Sequence, residues 1–596
     1  MFPRASAFIA AALVAAGLGP ATAAAAPLRF GEPQFIDMNL AGGEPLVFAD
    51  PIHHTLLYTA HEGTTHLYRP GLASSTTFDF ASGYRNQVNM WTSQDDGKTW
   101  KRVDFAAGFG TNPAQNTGFS DPDLTQDAGG RIYNTGIDLV NDALFSSNDG
   151  GLTWDQGTPQ CHDGDRPWLA GAHKDEVFLA TNTLEGGISH TIFTSTDGGQ
   201  TCSTDGITAG GELDDGTQWT GNGKLFYDPR RDMLVEPADF SGPDDKHALG
   251  VATWKRGDTA TTPHRAVETT VYAHWPTIAL DDAGGLYLVW DDDPRVDNTE
   301  GGCDGSRTPA PNSVSLIYSS NFGESWSEPI KIASPSDRRV FWPWIAAGEA
   351  GKVSVVWYET DKVVDLACTR ASITVKAATI LGANTSSPKI ETVDVVGRPI
   401  ADSDICQSGT TCVVTGEDRR LGDFFTNAID EQGCVMVATA DASTKDPVSG
   451  GERLVALPLF IRQVSGPALR GGGDCSGEVQ NLGLPPSNVD TPPSAPARRT
   501  CVSRRNFRIR LREPRGDRLK SAKVYVNGKR VKVVRGKRLR SRVDLRGLPK
   551  GRITVKIEGV TRKGKRVREL RRYRTCATKR GAITTPPRPR PVRDRS

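Results

Sequence analysis

After its first two dozen residues, this chain has no apolar run of 18 or more positions. A membrane-crossing helix is therefore not expected there, and the apolar run within the first residues is too short to span a bilayer. It also lacks C-x-x-C pairs and Cys/His clusters, so no zinc or redox motif is present. Neither an LPxTG-type sorting signal nor a C-terminal anchor helix is visible. The densest acidic stretch, WDDDPRVDNTEGGCDG (Trp290 to Gly305), has the carboxylates a calcium site needs but not the regular ligand spacing of an EF-hand; a solvated loop is the simpler reading. No metal and no cofactor is expected. Acidic residues are scarce at one end of the chain. From Arg498 onward there are 37 Lys and Arg against 6 Asp and Glu, whereas the preceding part has 34 against 64. The overall charge of +1 conceals an acidic body and a basic tail.

What is present begins with a leader. Arg4 precedes an apolar run from Phe8 to Leu18, followed by small-residue cleavage sites within Ala21 to Pro27. Residues 1–26 are expected to be a signal peptide and the mature protein to be secreted, free or held non-covalently at the surface. Ten cysteines, an even number in an exported chain, are expected to form disulfides. Spacing suggests Cys406 with Cys412 and Cys501 with Cys576, and less directly Cys161 with Cys202 and Cys303 with Cys368.

Two patterns alternate over residues 27–483. One is the turn S-x-D-x-G-x-T-W, seen in SQDDGKTW (Ser93 to Trp100) and SNDGGLTW (Ser147 to Trp154), with variants STDGGQTC (Ser195 to Cys202) and SSNFGESW (Ser319 to Trp326). Ser and Asp can bond the turn's own amides, Gly supplies positive φ, and Trp leaves as a packing wedge. The other is a hairpin of two period-2 apolar strands, as in WPTIALDDAGGLYLVWDD (Trp275 to Asp292). It occurs seven times, and the turns follow the first, second, third and fifth copies. These turns resemble the Asp boxes of sialidase-like β-propellers, also called BNR repeats. Two hairpins per unit make a four-stranded blade. The expectation is an all-β chain: a seven-bladed propeller, or a six-bladed one as in the sialidases if one hairpin is misread. The segment near Pro33 to Asp37 is expected to complete the last blade, because ring closure removes a free sheet edge.

The resemblance implies that the boxes sit on outer turns as braces, away from the ligand face, so Asp95, Asp149 and Asp197 are not expected to be catalytic. Asn321 in the fourth copy fits this, since it cannot act as an acid yet can bond a turn. Ligand sites of propellers lie at the channel mouth, ahead of the hairpins. There the sequence has GDRPW (Gly164 to Trp168), SDRRVFWPW (Ser336 to Trp344) and GEDRRLGDFF (Gly416 to Phe425). Sialidases hold a substrate carboxylate with three arginines. Arg166, Arg339 and Arg419 are the candidate counterparts, with Asp165 and Asp418 as candidate acids. The competing reading is that these Asp-Arg pairs are local salt bridges. The N-terminal F/Y-R-I-P motif of the enzymes is missing, with Tyr84-Arg85-Asn86 only a faint echo. Tyr358-Glu359 would point to opposite faces of a strand.

Residues 484–500 form a Pro-rich linker. The basic segment 501–580 alternates apolar with basic residues and has a strong Asn527-Gly528 hairpin turn, which suggests a small Ig-like β-sandwich. A disordered tail is expected over 581–596. Export argues against nucleic acid as the partner of the basic domain and favours an anionic cell-surface polymer or other anionic surface. The function expected is glycan or polysaccharide recognition, with exo-glycosidase action on an acidic sugar. The alternative is a non-catalytic propeller that binds protein or polysaccharide at the surface.

Overall fold

A computed structural model describes residues 26–476 and 507–574, apart from internal stretches of which 69–87, 104–117 and 293–308 are the longest. The chain divides into two compact units, Met1–Pro486 and Ser487–Ser596. Most of the leader, all of the linker, the tail, Tyr84-Arg85-Asn86, most of the acidic stretch and the cysteines 303, 501 and 576 lie outside the described residues. Among the described residues no helix is long and apolar enough to cross a membrane, and no group of three or more His, Cys, Asp or Glu side chains could hold a metal ion.

Seven antiparallel sheets follow one another in the larger unit. Their first strands are Leu46–Asp50, Ser120–Gln126, Asp165–Gly171, Gln218–Asn222, Thr277–Leu280, Val340–Ala347 and Thr426–Ile429; the sheets are numbered one to seven in that order. Each builds outward in chain order, except that the seventh takes its last strand from Arg29–Phe30, which pairs with Leu457–Ser465 beside Gln34–Phe35. The segment expected to close the last sheet does so, joined by a strand just before it. The first strands touch in succession, with Phe226–Asp228 standing for sheet four, and the first strand of sheet seven returns to that of sheet one. The sheets thus close on themselves in a ring.

The S-x-D-x-G turns behave as braces. In SQDDGKTW the Ser93 hydroxyl donates to Asp95 (2.8 Å) and accepts from the Gly97 amide (2.9 Å). Asp95 then accepts from the Thr99 amide (2.8 Å) and hydroxyl (2.6 Å). The same bonds recur at Asp149 and Asp197, and Asn321 makes the amide bond to Ser325 in the fourth copy. The glycine of each turn presses on the preceding sheet. A Cβ on Gly97 would meet the Phe460 ring at 2.5 Å, and one on Gly151 would meet Leu57 at 2.4 Å. Trp100 packs edge-on against the same Phe460, with centroids 5.1 Å apart.

Three disulfides lie among the described residues. Cys161–Cys202 and Cys406–Cys412 match the sequence reading, and Cys434–Cys475 was not anticipated. In the smaller unit a four-stranded sheet made of Leu519–Val526, Lys529–Arg535, Arg552–Thr561 and Arg566–Arg574 buries Ala522, Val524, Val534, Val555 and Ile557 together with Leu511 and Leu539. The strands Phe507–Ile509 and Val543–Leu545 pair separately.

Candidate functional site

The first strands do not begin smoothly. In sheet two Ser120 pairs with Ile137 and Asp123 with Thr135, so one extra residue is looped out. The same extra residue occurs between Asp165 and Trp168 in sheet three, and between Phe341 and Trp344 in sheet six. At each bulge a non-glycine residue takes a left-handed conformation: Asp121 (φ 51°), Arg166 (φ 57°) and Trp342 (φ 51°). Glu44, just ahead of sheet one, does the same (φ 49°). Each of the four precedes a proline, namely Pro45, Pro122, Pro167 and Pro343. Proline has no N–H to give the ladder, so it is at home in a bulge. A non-glycine residue held at positive φ costs about 1–3 kcal/mol, and such strain clusters at functional sites.

These bulges gather side chains at one end of the ring. A pocket of about 320 Å³, counting its open mouth, is lined by Glu44, Asp121, Arg166, Pro167, Trp168, Asp423 and Phe424. Its enclosed space is only about 10 Å³, room for about one water molecule, so it is a shallow depression open to solvent. The lining comes from sheets one, two, three and seven. Since strands alternate in direction, the starts of the first strands and the S-x-D-x-G turns lie at opposite ends of the sheets. Beneath the pocket the Trp168 ring packs against Trp344 (6.0 Å) and Phe424 (5.5 Å).

Two carboxyl groups share one hydroxyl. Ser120 Oγ is 2.6 Å from Asp121 Oδ1 and 3.3 Å from Glu44 Oε2. One hydroxyl has a single proton, so Ser120 either divides it unequally between the two carboxyls or accepts from one that is protonated. The electrostatics favour the second. Burial first, and then the charge of Asp423, pushes Glu44 from 4.5 up to about 8, against the lowering effect of Arg419. Asp121, part-buried in the pocket wall, is pushed well above the ordinary range by loss of solvent and then by Glu44, Asp165 and Asp423. Behind Glu44, the buried His66 lies 3.0 Å from its other oxygen through Nε2 and 3.0 Å from Thr65 Oγ1 through Nδ1. His66 stacks on His61 with ring centroids 4.1 Å apart. Burial holds both imidazoles well below their usual range, helped by Arg419 and, for His61, by His66.

The five residues singled out in the sequence do not form one clamp. Arg166 lines the pocket, and Asp165 beside it is exposed and close enough to act on Asp121. Arg419 is buried behind the pocket, and its guanidinium fork grips Asp423 through two bonds of 2.8 Å while donating to the Cys406 carbonyl (3.1 Å). Arg339 does not line this pocket. It is buried where sheet six begins, its backbone amide donating to Thr360 and its guanidinium lying 3.4 Å from the Val364 carbonyl. Asp418 is buried, held by Ser403 (2.5 Å) and by the guanidinium of Arg420, which also reaches Glu452 (2.9 Å). It is therefore the carboxylate of a local ion pair. Sequence reasoning missed Glu44, Asp121, Trp168, Asp423 and the two histidines. The signal that was available is the x-Pro step opening the first strands: EPLVF, DPDLT, RPWLA and WPWIA.

The ring of antiparallel sheets with braced turns has the architecture of a β-propeller. No family model and no curated protein matches the chain. Among solved structures, it is similar to a polysaccharide lyase, ulvan lyase, at 12% identity over 74% of this chain and 97% of that one, with a TM-score of 0.39. It is similar to the endosialidase of phage phi92 at 11% identity, covering 74% and 69%, with a TM-score of 0.39. A third is an α-L-arabinofuranosidase from Fusarium graminearum at 14% identity, covering 74% and 97%, with a TM-score of 0.34. At such identities and scores a likeness transfers neither activity nor substrate.

Proposed function

We propose that the seven sheets are the blades of a single propeller, that the smaller unit is an Ig-like sandwich, and that the pocket binds a glycan and cleaves it by acid catalysis. The observation that carries the reading is the Glu44–Asp121 pair: two carboxyls on one hydroxyl, set at strained positions in the wall of a pocket. A carboxyl kept protonated near neutral pH is what protonation of a leaving glycosidic oxygen requires. In this reading Asp121 gives its proton to that oxygen as the bond to the anomeric carbon breaks. Asp165, exposed beside it, serves as the base that takes a proton from the attacking water. Glu44 holds the shared proton through Ser120 and is a positioning residue. Trp168 and Arg166 supply an aromatic surface and a charged donor for the sugar.

The charge balance bears on the substrate. Among the described residues the cations beside Glu44, Asp121, Asp165 and Asp423 are Arg166 and Arg419, and the fork of Arg419 is held by Asp423. This favours a neutral sugar over the acidic one that three free arginines would suit. The test is release of sugar from a panel of fluorogenic neutral glycosides and sialosides, with binding followed in parallel. Cleavage of a neutral member by the wild type, lost in Asp121→Asn while binding persists, is the expected result. Binding with no cleavage of any member would leave a recognition propeller instead. Cleavage of the sialoside alone would overturn the assignment of substrate.

A further inference from the structure

We infer that the outer face of the four-stranded sheet in the smaller unit is a docking surface for an anionic phospholipid bilayer. The inference does not depend on the glycan reading. One face of this sheet is covered by the small core described above. The register shows what the other face carries: Lys523 pairs across to Val533 and Glu558, Tyr525 to Arg530 and Lys556, and Val560 to Arg566. On the edge strand Lys556 faces Leu570 and Glu558 faces Arg568. Cations and aliphatic side chains thus alternate over one exposed face. Its single carboxylate, Glu558, is already engaged by Lys556 at 2.9 Å and by Arg568 at 3.8 Å. Lys523, Arg530, Arg535 and Arg566 have no acidic partner among the described residues.

The apolar half of the pattern selects the occupant. Among the described residues seven large hydrophobic side chains are exposed, and four of them, Val531, Val533, Val560 and Leu570, lie on this one small sheet. A soluble anionic polymer would neutralise the cations but leave those side chains in water. A bilayer interface takes both: phosphate headgroups meet the cations, and the aliphatic groups reach the boundary with the acyl chains.

The experiment is co-sedimentation of the full chain with vesicles of phosphatidylcholine alone or with a minority of phosphatidylglycerol. Binding is expected only to the second and is expected to weaken with added salt. Lys523→Gln with Arg568→Gln should lower partitioning roughly thirty-fold, each neutralised cation near the surface being worth about a factor of five. Val533→Ser with Leu570→Ser should lower it several-fold, and since all four side chains are exposed the melting temperature serves as the folding control. Equal binding to phosphatidylcholine alone overturns the proposal. So does full binding by the two-serine variant, or binding of soluble polyphosphate as tight as that of the vesicles; both would point to a polymer.

Discussion

Glu44 is raised to about 8 by burial and by Asp423, and Asp239 in sheet four is raised to about 8 by burial, against one backbone hydrogen bond. A carboxyl whose folded pKa lies above its unfolded value keeps a proton in the fold that the unfolded chain releases. Stability is then greatest below the unfolded value and falls as pH rises towards 8. Denaturant unfolding at pH 5 and pH 8 should show this fall, and Glu44→Gln with Asp239→Asn should flatten it. An undiminished fall in the double variant would place the effect elsewhere. The turn carboxylates act in the opposite sense. Asp95 loses some solvent, which raises it, but the Thr99 hydroxyl and amide and Ser93 together lower it. Its support is present above the unfolded value and is lost as pH drops below it. Asp149→Ala should cost about 1–2 kcal/mol through its lost hydrogen bonds and leave sugar release unchanged. Asp121→Gly should instead remove backbone strain, stabilising the fold by about 1 kcal/mol while ending catalysis. The role of the turn aspartates was legible because their partners lie within four residues. The partnership of Glu44 with Asp121 was not, since it depends on sheet two packing beside sheet one, which brings Ser120 to Glu44 across 76 positions.

The hairpins were readable because each buries one strand pair with period-2 apolar residues, as in Leu286–Asp291 against Thr277–Leu280. The bulges that open the first strands were not, because one extra residue changes register without changing composition. Closure depends on a short piece of chain. Gln34–Phe35 and Arg29–Phe30 together cover the outer edge of Leu457–Ser465. Replacing Phe35 and Phe30 by Asp should uncover that edge and promote association between chains, measurable by light scattering. A second fastening is Cys434–Cys475, which spans 41 residues across the last sheet. Changing both cysteines to alanine should lower stability by roughly 3 kcal/mol.

The division between acidic and basic parts, read from charge alone, coincides with two compact units that have separate apolar cores. Calorimetry should accordingly resolve two unfolding transitions, and a single cooperative one would contradict independent cores. Charge pattern shows such a boundary readily because a boundary is a property of composition. A pocket is a property of how the sheets meet, and only two of the five residues chosen from sequence, Arg166 and Asp165, lie at or beside it.

The x-Pro steps have a consequence for how such a pocket is built. The proline and the looped-out backbone determine where the chain bends, while the residue before the proline determines what chemistry reaches the centre. In this chain that residue is a glutamate, an aspartate, an arginine or a tryptophan on otherwise similar frames. The ring therefore separates two tasks along the chain, the course of the backbone belonging to the proline and the chemistry to the residue before it.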